Sequence, residues 1–293
     1  MSDTPPSAPA TPAAVLRRHG PVTVTLLAVN VLVWAWQVLR GVGWLSPTLD
    51  DLAAWGANVW VFTLTGDWWR LGTSMFLHGG VIHLVLNMLS LAMAGERTEH
   101  EFGRPRMLAI YLAGGLVSSC ASTVWRGLQT LAPVAAGHAA VSPGGAGASG
   151  AIMALIGALF AAAALGMPES DGSVHKPIFD TNLAMVIAFS IITGVFIPGI
   201  DQVAHVGGLV GGFAIGAILG VASTRRGLVA TALRTFATLA VVGACLAAVA
   251  QVGHRTQFRG LRIQMQLEQA VRAHDAQTHG PQGPSGHQGG QRL

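Results

Sequence analysis

The sequence predicts an all-α membrane protein, a polytopic helical bundle, and three observations support this fold class. Of 293 residues, 51% are hydrophobic and only 10% are charged, against about 25% in ordinary soluble domains. The mean hydropathy is +0.52. The apolar residues also collect in segments close to the roughly 20 helical residues that cross a bilayer core. Each segment is expected to be helical, because lipid offers no partner to an unpaired backbone group.

Seven apolar segments divide the chain. We place them at about 21–39, 81–95, 106–125, 149–166, 181–198, 202–221 and 228–252. The second and the fifth are weaker, since one contains His83 and Asn87 and the other follows a polar loop. The segments predict a disordered cytoplasmic N-terminal tail (1–20), a six-span core (21–222), an extra seventh transmembrane helix (223–252) and a polar, largely disordered C-terminal tail (253–293).

Basic residues in the short loops predict the orientation. Arg17 and Arg18 precede the first segment, and the basic residues of 97–106, 176 and 225–234 fall on the same side, which should be cytoplasmic. Seven spans then place the C-terminal tail outside, although that tail carries several arginines. An interfacial seventh segment would remove this conflict. We expect an integral, multi-pass protein of a bacterial inner (plasma) membrane.

The loop 40–80 and the two cysteines complete this picture. Five tryptophans in the loop predict that it lies at the outer headgroup region, which tryptophan prefers. Cys120 and Cys245 both fall inside apolar runs, so neither a disulfide framework nor a thiolate metal site is expected. A pI near 10.0 does not indicate nucleic-acid binding, because the basic residues are spread between apolar segments.

Gly147, Ser149 and Gly150 stand where a glycine-rich stretch enters the fourth segment. A serine becomes a nucleophile only with a base in hydrogen-bond reach and donors near the oxyanion it creates. The glycines allow a tight turn close to a substrate carbonyl, and a helix that starts here adds unpaired amides. A helix cap or a small-residue packing motif is the competing interpretation.

His205, near the outer end of the sixth segment, is the candidate base. A neutral imidazole there accepts the serine proton and later returns it to the leaving amine. Gly208 begins a series of glycines at four-residue intervals (Gly208, Gly212, Gly216, Gly220), which predicts close approach of a second helix. A buried histidine bonded to a neighbouring carbonyl is the alternative for His205.

His83 and Asn87 lie four residues apart in the second segment, on one helical face. Both side chains donate hydrogen bonds, so they suit an oxyanion hole together with the backbone amide of Ser149. A zinc site is the rival, since His78 lies nearby, but no neighbouring carboxylate or cysteine completes a ligand set. We therefore predict neither metal nor cofactor.

Taken together, these motifs resemble the rhomboid intramembrane serine proteases over roughly residues 20–222. The resemblance rests on Trp69-Arg70, His78, His83-x-x-x-Asn87, Gly95, Glu99, Gly147-x-Ser149-Gly150 and Ala204-His205-x-x-Gly208, in that order.

The resemblance implies a serine endopeptidase whose six-span catalytic core (21–222) uses a Ser149–His205 dyad, with His83 and Asn87 at the oxyanion. It implies structural roles for Trp69 and Arg70 in the outer loop and for Glu99 at the cytoplasmic end of the second helix. Asp201, one turn before His205, is then a polar or capping residue and not a third catalytic member.

The expected partners are transmembrane protein substrates and the lipid bilayer, with no nucleic acid and no metal. Two rival functions stay open. One is a catalytically silent rhomboid-like scaffold that binds membrane clients. The other is a small transporter or channel, which the lack of a charge relay and of evident inverted repeats disfavours.

Overall fold

The computed structural model describes residues 20–129, 145–167, 201–220 and 227–279, and within these ranges the regular structure is entirely helical. The elements are α1 (Pro21–Leu39), α2 (Leu49–Ala54), α3 (Trp60–Leu64), α4 (Arg70–Thr73), a 3-10 helix (Ser74–Phe76), α5 (Val81–Phe102), α6 (Arg104–Gln129), α7 (Ser149–Ala164), α8 (Gln202–Gly220), α9 (Leu228–Gly253) and α10 (Thr256–His279).

The described helices match six of the seven predicted segments, and the segment at 181–198 lies outside the described residues. By length and composition, α1, α6, α8 and α9 can cross a membrane. A fifth crossing is added if α4 with its 3-10 helix and α5, bent by 90°, count as one span. At 16 residues, α7 is shorter. A six-span core with one further helix stays a prediction.

The core is centred on α7, which contacts α5, α6 and α8. Its apolar side chains are buried nearly all round, and Leu155 and Ile156 are fully inaccessible. This matches its sequence, since a helix that is apolar on every face belongs inside a bundle. Ser149 therefore begins the most enclosed helix described, at the end of the bundle where the loop 40–80 also packs.

A glycine stripe on α8 places that helix directly against α7, as the sequence predicted. A Cβ on Gly208 would overlap the carbonyl oxygen of Gly150, and a Cβ on Gly212 would overlap the backbone of Ala154. Gly216 repeats the contact one turn further on. The two backbones touch because no side chain separates them, and the first turns of α7 and α8 lie side by side.

The loop 40–80 folds into α2, α3, α4 and the 3-10 helix. Trp44 and Trp69 are more than half exposed, and the headgroup location of the loop stays a prediction. Trp60 differs, because it is only 4% exposed and its ring meets that of Phe258 edge-on at 5.9 Å. One of the loop tryptophans therefore holds the loop to the rest of the protein.

Residues 256–279, within the segment expected to be a largely disordered tail, form the helix α10 in the structure. The average polarity of this segment concealed two anchors at its start. Phe258 is 1% exposed, and Arg262 donates to the carbonyl of Thr65 at 2.8 Å. Residues 1–19 and 280–293 lie outside the described residues.

Candidate active site

Gly147 and Ser149 form the entry to α7. The backbone of Gly147 has φ +133°, which favours glycine, and its N–H donates to the carbonyl of Ser74 at 2.9 Å. Ser149 is the first residue of α7 and is half-buried. Its backbone N–H has no acceptor within the helix, because the first turn of any helix leaves its amides unpaired. Ser149 therefore combines a hydroxyl with a backbone amide that has no acceptor in its own helix.

His83 lies against this turn from α5. A Cβ placed on Gly147 would be 2.8 Å from Cε1 and 3.0 Å from Nε2 of the His83 ring. The other ring nitrogen, Nδ1, accepts the backbone N–H of Gly79 at 3.2 Å. In a neutral imidazole that acceptor carries no proton, so the N–H is at Nε2. The backbone thus selects the tautomer that presents a donor beside Gly147.

Asn87 lies one turn beyond His83 and on the same side. Its Nδ2 would be 3.4 Å from a Cβ on Gly147. The residue is 6% exposed, and its Nδ2 is buried without a hydrogen-bond partner among the described residues. A buried amide left unpaired costs about 1–3 kcal/mol, so this donor is available to an acceptor that the described part of the chain does not supply.

His205, the fourth residue of α8, approaches the same turn from the other side and is 8% exposed. A Cβ on Gly150 would be 3.8 Å from the carbonyl of Ala204, so the residues next to Ser149 and His205 are in contact. A Cβ on Gly208, three residues after His205, would overlap the carbonyl oxygen of Gly150. The structure therefore gathers the predicted Ser149, His205, His83 and Asn87 around one turn.

Asp201 caps α8. Its Oδ1 accepts the backbone N–H of Ala204 at 3.0 Å. Its Oδ2 accepts the hydroxyl of Ser122 and lies 3.6 Å from an Nη of Arg126. Both oxygens are thus occupied by the cap and by α6, and the capping interpretation is confirmed. The carboxylate ties the first turn of α8, which carries His205, to the neighbouring helix.

Arg70 holds the outer loop together. Its Nη1 donates to the carbonyls of Ala53 at 2.6 Å and Ala57 at 3.2 Å, and its Nε pairs with Asp67 at 3.1 Å. The guanidinium also lies 4.6 Å from the ring centre of Trp69. One cation thus joins three parts of the loop, and Trp69 covers it.

Glu99, near the end of α5, binds the start of α1. Its carboxylate accepts the backbone N–H groups of Val22 at 3.2 Å and Thr23 at 2.8 Å, and the Thr23 hydroxyl at 2.9 Å. A carboxylate at a helix N-terminus pairs its free amides and complements its dipole. Glu99 therefore joins two helices at the end of the bundle away from Ser149, which extends the local role expected for it.

Three residues that support the site were not predicted from the sequence. The Ser118 hydroxyl donates to the carbonyl of Ala204 at 2.6 Å, next to His205. The buried Asn58 binds the Thr123 hydroxyl at 2.9 Å, and its backbone N–H donates to Gly145 at 3.3 Å. Ser74 contributes only a carbonyl. The available signal was weak: Ser118 and Asn58 are polar residues within apolar runs, and a backbone acceptor has no sequence signature.

His78 is 1% exposed and packs edge-on against His83, with 5.4 Å between ring centres. Both of its ring nitrogens are buried without hydrogen-bond partners among the described residues. Nowhere among the described residues do three His, Cys, Asp or Glu side chains lie close enough together to hold a metal ion. His78 therefore packs as a buried side chain against the His83 ring.

Comparison with known proteins assigns this arrangement to a family. Residues 65–222, more than half of the chain, match the family model for the rhomboid domain. The chain belongs to the rhomboid family. With its long apolar helices, this rhomboid is an integral, multi-pass membrane protein.

Curated relatives agree with the assignment. The rhomboid is 34% identical over 212 residues to "Rhomboid protease GluP" of Bacillus subtilis (strain 168), covering 72% of this chain and 37% of the relative. It is 30% identical over 209 residues to "Rhomboid protease AarA" of Providencia stuartii, covering 69% and 72%. It is 33% identical to "RHOMBOID-like protein 6, mitochondrial" of Arabidopsis thaliana, covering 64% and 55%. The match thus spans only about a third to three quarters of these relatives.

Proposed function

We propose that this rhomboid is an intramembrane serine endopeptidase that cleaves transmembrane proteins near the outer membrane face, with Ser149 as nucleophile and His205 as general base. The observation that carries the proposal is that His83 and Asn87 contact the turn at Gly147, two residues before Ser149, while the first turns of α8, which carry His205, contact Gly150. Relatives named as rhomboid proteases support the same class of activity.

The reaction proceeds in two steps. The Ser149 hydroxyl oxygen attacks the scissile carbonyl carbon while its proton passes to the imidazole of His205. The resulting tetrahedral intermediate collapses, the C–N bond breaks, and the leaving nitrogen takes that proton from His205. Water then attacks the acyl-serine with His205 again accepting a proton, which releases the new carboxylate and restores the serine.

Three donors stabilise the oxyanion in this proposal. They are the backbone N–H of Ser149, the Nε2–H of His83 that the Gly79 contact selects, and the Nδ2 of Asn87, which has no hydrogen-bond partner among the described residues. Donors fixed in a buried site need little reorganisation during the reaction, and each one removed from a comparable site costs about 10²–10³ in kcat. The unpaired amide of Asn87 is the strongest single support for this role.

The orientation has structural support of its own. The helix α10 contacts α3 within the loop 40–80, so both lie on one side of the membrane, whereas Gly20 lies at the opposite end of α1. This arrangement requires an odd number of membrane spans between Gly20 and α10, and the seven predicted spans meet that requirement. Arg262 also pairs with Asp67 at 3.0 Å, which lessens the charge conflict of an outer tail. We infer a cytoplasmic N-terminus in a bacterial inner membrane.

A catalytically silent scaffold that binds membrane clients is the second candidate, because the family fold alone does not specify chemistry. The presence of both Ser149 and His205 disfavours it. The two functions differ in one property, since only a protease carries a serine that reacts with a fluorophosphonate probe.

The deciding experiment measures cleavage of a generic transmembrane substrate in liposomes. Wild type is compared with Ser149→Ala and His205→Ala, and with the matched controls Ser46→Ala and His254→Ala at exposed positions. We expect cleavage that survives EDTA, is retained in both controls and is lost in both site variants. Absent cleavage together with absent probe labelling at Ser149 would transfer the assignment to the scaffold.

A further inference from the structure

The C-terminal helix α10 reaches the outer loop through one arginine. The Nη1 of Arg262 donates to the carbonyl of Thr65 at 2.8 Å and to its hydroxyl at 2.9 Å, and Nη2 donates to Asp67 at 3.0 Å. Thr65 follows the last residue of α3, where carbonyls lack partners within the helix. Arg262 therefore closes the end of α3 and neutralises a loop carboxylate with one guanidinium.

The contact is backed by packing. Phe258, one turn before Arg262, is buried edge-on against Trp60 of α3. A Cβ on Gly253, at the end of α9, would overlap the carbonyl of Leu64. Three points of the C-terminal region thus meet α3 and its end, which identifies a docked helix.

From Asp67 a continuous series of contacts leads to the catalytic turn. The second carboxylate oxygen of Asp67 binds Arg70, and Arg70 binds the carbonyl of Ala57 at 3.2 Å. The next residue, Asn58, donates its backbone N–H to the carbonyl of Gly145 at 3.3 Å.

A second connection leaves α4 directly. The 3-10 helix that follows α4 begins at Ser74, and the carbonyl of Ser74 accepts the N–H of Gly147 at 2.9 Å. Gly145 and Gly147 are therefore both hydrogen-bonded to the loop segment 57–74. Arg262 binds the middle of that segment.

We propose that Arg262 is a positioning residue for the active site: from the C-terminal helix it holds the loop segment 57–74, and through that segment it sets the turn Gly145–Ser149. This inference rests on the proposed protease function only for its kinetic consequence. Arg262 itself touches neither Ser149 nor the oxyanion donors, so its effect is on kcat through the geometry of the turn.

The test uses the full-length protein in liposomes, with the variants Arg262→Ala and Arg262→Lys. Arg259→Ala is the matched control, because Arg259 lies on the same helix and is exposed. The first readout is amide hydrogen exchange, which does not depend on catalysis. We expect Arg262→Ala to speed exchange at residues 145–149 about tenfold, the size of effect that losing one charged hydrogen bond gives, with Arg259→Ala unchanged.

The second readout is the kinetics of substrate cleavage. We expect Arg262→Ala to lower kcat about tenfold at nearly constant KM, and Arg262→Lys to recover part of the loss, because lysine keeps the charge without the forked geometry. The partial rescue separates loss of the charge from loss of the bidentate contact.

Three results would overturn the proposal: Arg262→Ala behaving like Arg259→Ala, faster exchange spread evenly over α5 to α8, or faster exchange at 145–149 with unchanged kcat. A wild type that cleaves nothing would count against the protease function alone, because the exchange measurement still reports whether α10 supports the turn.

Discussion

The imidazole of His83 lies against Gly147, and a Cβ on that glycine would stand 2.8 Å from Cε1 of the ring. Two features favour glycine at position 147. The φ of +133° disfavours any side chain, and the ring occupies the space a side chain needs. The His83 ring and the turn before Ser149 are thus fitted to each other.

This contact predicts that Gly147→Ala reduces cleavage at least about tenfold, because His83 or the turn must shift and small misplacements of reacting groups cost about that much or more. Gly145→Ala is the matched control, since its Cβ would meet Asp201 at an ordinary 3.5 Å. The measurement is kcat/KM on a transmembrane substrate. Equal activity in the two variants would contradict the fit between His83 and Gly147.

Asn87→Ala is expected to lower kcat by about 10²–10³ with little change in KM, since an oxyanion donor acts on the transition state more than on the bound substrate. Leu89→Ala on the same helix is the control, because Leu89 is 59% exposed. Steady-state kinetics separate the two parameters. A rise in KM alone would show that Asn87 only binds substrate.

Asp201→Asn and Asp201→Ala separate capping from catalysis. Asparagine caps helices about as well as aspartate, whereas alanine loses about 0.5–2 kcal/mol of stability. We therefore expect the thermal midpoint to fall more in Asp201→Ala than in Asp201→Asn, with both variants keeping far more activity than His205→Ala. Inactivation of Asp201→Ala to the level of His205→Ala in a folded protein would instead make Asp201 part of the catalytic group.

Two glycine variants test the contact between α7 and α8. Gly212→Ala places a Cβ into the backbone of Ala154, and overpacking of this kind costs about 1–3 kcal/mol or more. Gly243→Ala on α9 meets nothing within 4 Å and should be neutral or stabilising, because alanine is the better helix former. Thermal unfolding in detergent compares them, and a similar midpoint for both would argue against close packing at Gly212.

Much of this architecture was predictable because the bilayer imposes a strong and local rule. Lipid cannot pair backbone groups, so long apolar runs predict helices, and six of the seven predicted segments are described helices. The close packing of α8 was also predictable from its glycine stripe, since small residues at four-residue spacing allow two helix backbones to approach closely. The motif order sufficed to predict the rhomboid family, which the family match confirms.

The tail shows where such local rules fail. The composition of 253–293 predicts a largely disordered tail, whereas in the structure 256–279 form α10, in which Phe258 and Arg262 contact partners almost two hundred residues earlier in the chain. Those partners, Trp60 and Thr65, sit in a loop whose fold is itself a tertiary outcome. Average polarity cannot register two anchors whose partners are distant in sequence.

By itself, the sequence determined the membrane class, the helical segments and the residues that could carry chemistry, because hydropathy and residue type act locally. Only the tertiary structure decided which polar groups meet. It placed Nε2 of His83 beside Gly147, put the Asn87 amide in the same place with no partner in the described parts of the chain and bound Glu99 to the start of α1. Hydrogen bonds between distant segments depend on the relative positions of packed helices, and no single segment encodes those positions.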